Sequence, residues 1–230
     1  MKLQLKLFAL FFVSIYGMLL PAKAQTETHE LPPFDEVVVT GDIEAVLQAG
    51  RKPTARVEVE GIELDKVVTE VEGMKLHIKL KPGIYPDAEV KVYIVFDELR
   101  EVRANAGARV VVEDVIKGDK LEVYAGSGGR VELAVEVNVL EQRVMEGSKI
   151  TVEGYARNQE SRVYSGGILD AEQLRSEYAF VRVNTGGMAT VHVREELEAS
   201  VGTGGKLTYY GAPPKESVKT LLGAKIQRIE

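Results

Sequence analysis

The chain of 230 residues contains no cysteine and no tryptophan, and only three histidines. The lack of cysteine rules out a disulfide framework and any thiolate-based metal site, so stability has to come from packing. His29 lies in a polar stretch near the start of the chain. His77 and His192 sit between apolar neighbours that are expected to point inward, which turns both toward solvent. No zinc spacing and no Ser-His-Asp arrangement can be built from them. Cationic charge is also in short supply, with 29 Lys and Arg against 35 Asp and Glu. An acidic chain argues against nucleic acid and anionic membrane as partners. Beyond the first 24 residues no long apolar run exists, so no transmembrane segment is expected.

Those first residues have their own pattern. Lys2 and Lys6 precede an apolar run from Leu7 to Leu20, followed by Pro21-Ala22-Lys23-Ala24-Gln25. This is the order of a secretory signal peptide, with a basic region, an apolar region and an Ala-x-Ala cleavage site. Cleavage after Ala24 leaves 206 residues with 26 basic and 35 acidic side chains, a formal charge of −9. The expected location is therefore outside the cytoplasm, either in the periplasm or at the cell surface. The absence of a cysteine at the cleavage site excludes a lipoprotein anchor.

What the chain has in quantity is repetition. Between Leu99 and Pro213 one phrase returns six times: a valine, a Gly/Ser/Thr cluster, then a branched apolar residue. It reads Val123-Tyr-Ala-Gly-Ser-Gly-Gly-Arg-Val131 in one unit and Val163-Tyr-Ser-Gly-Gly-Ile168 in another. A first column, Val102, Val123, Val144, Val163, Val183 and Val201, advances by 18 to 21 residues. A second runs Val110, Val131, Ile150, Ile168, Met188 and Leu207, and a third Val115, Val135, Tyr155, Leu174 and Val193. A unit of about 20 residues that turns on glycine and cannot bury an apolar face alone indicates an all-β, single-stranded right-handed β-helix, or β-solenoid. A leucine-rich repeat is excluded because no unit has its Leu-x-x-Leu-x-Leu frame. A sandwich gives no reason for three columns to keep phase.

The remaining chain divides around this array. Residues 25–33 form a polar leader expected to be mobile. Residues 34–98 alternate with period two and read as strands that either open the solenoid or cap it as a separate sheet. Residues 99–213 are the six-coil region, and residues 214–230, with Ile226 and Ile229, are expected to close the stack.

Several phrases together carry a resemblance. Phe34-Asp-Glu-Val-Val-Val-Thr-Gly41, Leu47-Gln-Ala-Gly50, Glu72-Gly-Met-Lys-Leu-His-Ile78, the successive Gly-Ser-Gly corners and Tyr209-Tyr-Gly-Ala-Pro213 resemble the auto-transporter adhesin head GIN domain family, exported proteins common in Bacteroidetes. The resemblance spans essentially the whole mature chain and implies an adhesin-like surface role. It transfers no catalytic residue. Asn105-Ala-Gly-Ala108 and Glu146-Gly-Ser148 depart from the usual corner.

Chemistry-bearing motifs are few. Gly126-Ser-Gly-Gly129 and Gly202-Thr-Gly-Gly205 look like phosphate loops, but neither is followed by Lys-Ser/Thr or a helix. The calcium-binding repeat of other solenoids lacks its Asp throughout. No cofactor is expected. The outward residues flanking the first column read Glu101, Glu122, Arg143, Arg162, Arg182, Ser200 on one side and Arg103, Tyr124, Met145, Tyr164, Asn184, Gly202 on the other. Arg143, Arg162 and Arg182 with Tyr124 and Tyr164 are the candidate ligand residues: guanidinium forks suit the carboxylates of an acidic glycan or surface polysaccharide, and tyrosine rings suit sugar faces. The competing reading is a solvated face neutralised by Glu141, Glu146 and Glu160. A homo-oligomer is compatible with the array. The alternative function, a polysaccharide lyase or hydrolase, would need two or three Asp or Glu, or an Asp with Lys or Arg, converging on one face at neighbouring coils, and only Asp170 and Glu172 stand near the right face, without an evident partner.

Overall fold

The computed structural model describes residues 25–229, so the signal peptide reading of residues 1–24 falls outside the described residues. Sixteen strands form one continuous sheet: β1 (Gln25–Glu30), β2 (Glu36–Thr40), β3 (Glu44–Ala49), β4 (Thr54–Glu60), β5 (Val67–Glu72), β6 (Lys75–Leu80), β7 (Glu89–Phe96), β8 (Glu101–Asn105), β9 (Arg109–Gly126), β10 (Arg130–Val144), β11 (Lys149–Val163), β12 (Ile168–Val183), β13 (Met188–Val201), β14 (Lys206–Tyr210), β15 (Lys215–Thr220) and β16 (Lys225–Ile229). From β8 onward every pairing is parallel, coil upon coil, and the chain is a β-solenoid of about 19 residues per turn.

Strand β10 shows how the sequence wraps a coil. Val131, Leu133, Val135 and Val137 point inward and are buried, the alternation skips a beat at Asn138-Val139, and Leu140, Gln142 and Val144 resume it. Each strand therefore bends around a corner without breaking. The other corner is a tight turn in which two successive residues have positive φ, such as Ser165 (50°) and Gly166 (73°). Gly167, the next residue, passes so close to the previous coil that a Cβ there would lie 2.5 Å from the Val144 carbonyl oxygen. The packed corner position is thus Gly167, while Gly166 is required by its backbone angle.

Register corrects the apolar columns. Val102 and Val123 stack on Gln142 and Ser161, not on Val144, which belongs with Ala125 and Val163. The first column as read from the sequence slips by two residues at its third member. Ile150 stacks on Leu169 and Ala189, so Ile168 and Met188 point outward, Met188 being 42% exposed. In the third column Ile116, not Val115, faces the core, and Val115 is 49% exposed. That corner varies in length: Thr151 to Gly154 lie opposite Asp170 to Leu174, an extra residue accommodated as a bulge.

The N-terminal half opens the stack and belongs to the same continuous sheet. Strands β2 and β3 are parallel coil strands that pair with β8 and β9 on one side and with β6 and β7 on the other, and β4 and β5 add antiparallel to β7 and β6 at the end of the stack. Within the leader, Gln25–Glu30 forms a strand that pairs antiparallel with β4, and His29 Nε2 lies 2.8 Å from Thr69 Oγ1 on β5. Residues too polar to join the core still satisfy the backbone of an edge strand. At the opposite end, β15 and β16 add a further coil. Two of its inward positions hold charges in place of aliphatics. Arg228 Nη1 lies 3.5 Å from Glu216 Oε1, and Tyr209 Oη donates to Glu216 at 3.1 Å.

Candidate functional site

The outward residues of the wall made by β8 and the C-terminal ends of β9–β13 form two columns. One runs Arg103, Tyr124, Arg143, Arg162, Arg182 and Ser200. The other, two residues earlier on each strand, runs Glu101, Glu122, Glu141, Glu160, Phe180 and Glu198. The three predicted arginines are therefore stacked on consecutive coils, at a strand spacing of roughly 4.8 Å. Tyr124 stands in the same column and faces Arg103, whose Cζ is 5.4 Å from the ring centroid. Tyr164 does not join them: it follows the buried Val163 at the corner, and its backbone N–H donates to the Val144 carbonyl.

The acidic column occupies two of the four arginines, Arg103 and Arg162, and leaves Arg143 and Arg182 without an ion pair among the described residues. Arg103 Nη2 donates to Glu101 at 3.1 Å, and Arg162 pairs with Glu160. Lys120, at the next corner, lies 2.8 Å from Glu122 and 2.7 Å from Glu141. That ammonium holds the Glu122 carboxyl below the ordinary carboxylate range, chiefly by its hydrogen bond and against the opposing effect of burial. Its own proton is held more tightly by the same two acids. The expected neutralisation by Glu160 is present; Glu146 instead accepts from Ser127 Oγ at 2.6 Å. That contact also places a carboxylate at the glycine corner that resembles a phosphate loop.

One coil breaks the pattern. Phe180 replaces the glutamate on β12 and is 45% exposed. Arg182, on the same strand and face, consequently has no acid two residues before it, and among the described residues its guanidinium makes no ion pair or hydrogen bond. A groove of about 300 Å³ opens there, lined by Glu160, Arg162, Phe180, Arg182, Glu198 and Ser200. Phe180 was missed in the sequence because its meaning is positional: only true register shows that it stands where its neighbours are glutamates.

A second groove, about 430 Å³, runs along the bulged corner and includes Glu132, Glu153, Asp170 and Glu172. Asp170 does have a partner, Lys149 at 3.8 Å, and Glu132 pairs with Arg109 at 3.1 Å. Among the described residues no three carboxylates or histidines come together in a way that could hold a metal ion. Nor is any helix there long and apolar enough to cross a membrane.

No curated protein matches the chain. Among solved structures it is similar to a putative adhesin from Bacteroides fragilis, with 18% identity, a TM-score of 0.76, and coverage of 90% of this chain and 97% of that one. A putative adhesin from Parabacteroides merdae gives 18% identity, a TM-score of 0.74 and the same coverage. A putative lipid binding protein from Parabacteroides distasonis gives 19%, 0.72 and again the same coverage. These likenesses establish the fold. Residues 33–213 match the family described as "Putative auto-transporter adhesin, head GIN domain", and the chain belongs to that family.

Proposed function

We propose that this chain is an exported, non-catalytic binding module that recognises acidic glycans through the arginine column of its solenoid wall. The observation that carries the reading is Arg182, an outward guanidinium without an acid partner beside a half-exposed phenylalanine. Carboxylates bind such forks bidentately, and the flat ring offers an apolar surface to a sugar. The adhesin-like family and the secretory pattern of residues 1–24 support a role in the periplasm or at the cell surface. Arg143 and Tyr124 extend the same column toward the N-terminal end.

The test is retention on a panel of acidic and neutral glycans at low and physiological salt. Exposed charge pairs are screened over about 8 Å at physiological ionic strength, so retention of acidic glycans should fall as salt rises. Replacing Arg143, Arg162 and Arg182 together by glutamine should abolish it with little change in melting temperature. Salt-insensitive retention, or retention that survives the triple replacement, would remove the column from consideration. The same incubations, read for glycan depletion and new reducing or unsaturated ends, would expose a lyase or hydrolase.

A further inference from the structure

The two outward columns have a consequence for how much of a glycan this wall can hold. A long polyanion laid across the coils would meet a glutamate on each coil it crosses, at Glu101, Glu122, Glu141, Glu160 and Glu198. Two of those acids already satisfy the arginine beside them, and two more share Lys120. Two arginines of the column, Arg143 and Arg182, make no ion pair among the described residues, but Arg143 keeps Glu141 two residues before it, and β12 alone has no acid at that place. There the acid is replaced by Phe180, Arg182 is unpaired, and the next coil presents Ser200 where a cation would otherwise stand.

Resting on the acidic-glycan reading above, we infer that the wall holds one sugar subsite, at Phe180, Arg182 and Ser200, which takes a single carboxylate-bearing pyranose. The guanidinium of Arg182 supplies the fork for the carboxylate. Phe180 supplies the apolar face on which the C–H side of the ring lies. Glu160 and Glu198 flank Phe180 on the neighbouring coils and line the same groove. A carboxylate accepts hydrogen bonds, so each suits a sugar hydroxyl and repels a second carboxylate. The acidic residue must therefore be terminal, or isolated between neutral sugars. The groove's volume, about 300 Å³, is at the small end for ligand sites. Phe180 is the specificity residue: with glutamate at that position the coil would resemble its neighbours and close the site electrostatically. Arg143 lies outside the subsite, next to Glu141 and two coils from Arg182.

The experiment titrates the 25–230 protein with methyl glucuronide, methyl glucoside and polygalacturonate fragments of increasing length, following amide shifts by NMR. Methyl glucuronide should perturb residues around Phe180 and Arg182, and methyl glucoside should not. Affinity per molecule should not rise with fragment length. Phe180→Glu and Arg182→Gln should each weaken glucuronide binding about tenfold or more, the usual effect of losing a charge-assisted contact, while Arg109→Gln, at the start of β9 and outside the column, leaves it unchanged. Phe180→Ser, which removes the ring without adding charge, should weaken binding by a smaller factor, and melting curves of all variants establish that they fold. Affinity that climbs with fragment length and falls in Arg143→Gln would overturn the single subsite while sparing the acidic-glycan reading. Absence of binding by glucuronide and by every fragment at low salt would overturn both.

Discussion

Val163 lies directly beside Val144 on the adjacent coil, and both side chains are fully buried. A charge placed at either position has no water and no counter-ion within reach. Val163→Asp should cost several kcal/mol, a large fraction of the roughly 5 to 15 kcal/mol typical of a folded domain. Arg143→Gln, one residue before Val144 and exposed, should change stability by no more than about 0.5 kcal/mol. Thermal melts of the two variants decide the matter: similar midpoints would mean that the inward and outward assignments on this wall are wrong.

The two glycines of one corner should fail for different reasons. Gly166 has φ of +73° and no atom within 4 Å of where a Cβ would stand, whereas a Cβ on Gly167 would meet the Val144 carbonyl oxygen at 2.5 Å. Gly166→Ala should therefore lose about 1 to 2 kcal/mol through backbone strain, and Gly166→Asn less, because asparagine tolerates that region. At Gly167 alanine and asparagine should both cost about 1 to 3 kcal/mol, since the obstacle is volume. Denaturant midpoints for the four variants would separate the causes, and rescue by asparagine at Gly167 would contradict the close approach.

The repeat, its period and the alternation of walls were all legible in the sequence, because aliphatic side chains mark the core. Legibility failed where the core is not aliphatic. Gln142 and Ser161 occupy inward positions on the column that begins Val102, Val123, and a search for branched apolar residues steps over them to Val144 and Val163. The same two-residue slip merged the glutamate column with the arginine column, so Glu101 and Glu122 were placed in line with Arg143. The bulged corner concealed Ile116 behind Val115 in the same manner, because a variable number of residues there destroys phase. Phe180 became meaningful only once the columns were in register.

Those inward polar residues make a third prediction. Gln159 Nε2 donates to Gln142 Oε1 at 2.9 Å and Ser161 Oγ donates to the same oxygen at 2.7 Å, while Gln142 Nε2 and Gln159 Oε1 are buried without a partner. Removing one member should strand the other: Gln159→Leu alone should cost about 1 to 3 kcal/mol. Replacing Gln142, Gln159 and Ser161 together by Leu, Leu and Val should be nearly neutral or stabilising, since the flanking inward positions Val123 and Val181 are already aliphatic. Urea unfolding of the single and triple variants measures the coupling. Additive losses would mean that the three side chains do not act as a unit.

The fourth prediction concerns pH and the ammonium between two columns of acid. Lys120 holds Glu122 below its ordinary value of 4.5, principally through the hydrogen bond at 2.8 Å. A carboxyl whose pKa is lowered by folding contributes stability above its unfolded pKa and gives it up as pH falls through the folded value. Both side chains are nearly half exposed, at 45% and 46%, so solvent screening limits the contribution to about 1 kcal/mol or less. Lys120→Met should therefore lower the melting temperature modestly at pH 7, and the gap between wild type and variant should narrow by pH 3, which lies below the unfolded carboxyl's value of 4.5. Raising salt at pH 7 should narrow it in the same direction. A gap of equal size at pH 7 and pH 3 would assign the effect of Lys120 to the packing of its aliphatic stem, leaving the Glu122 and Glu141 contacts without energetic weight.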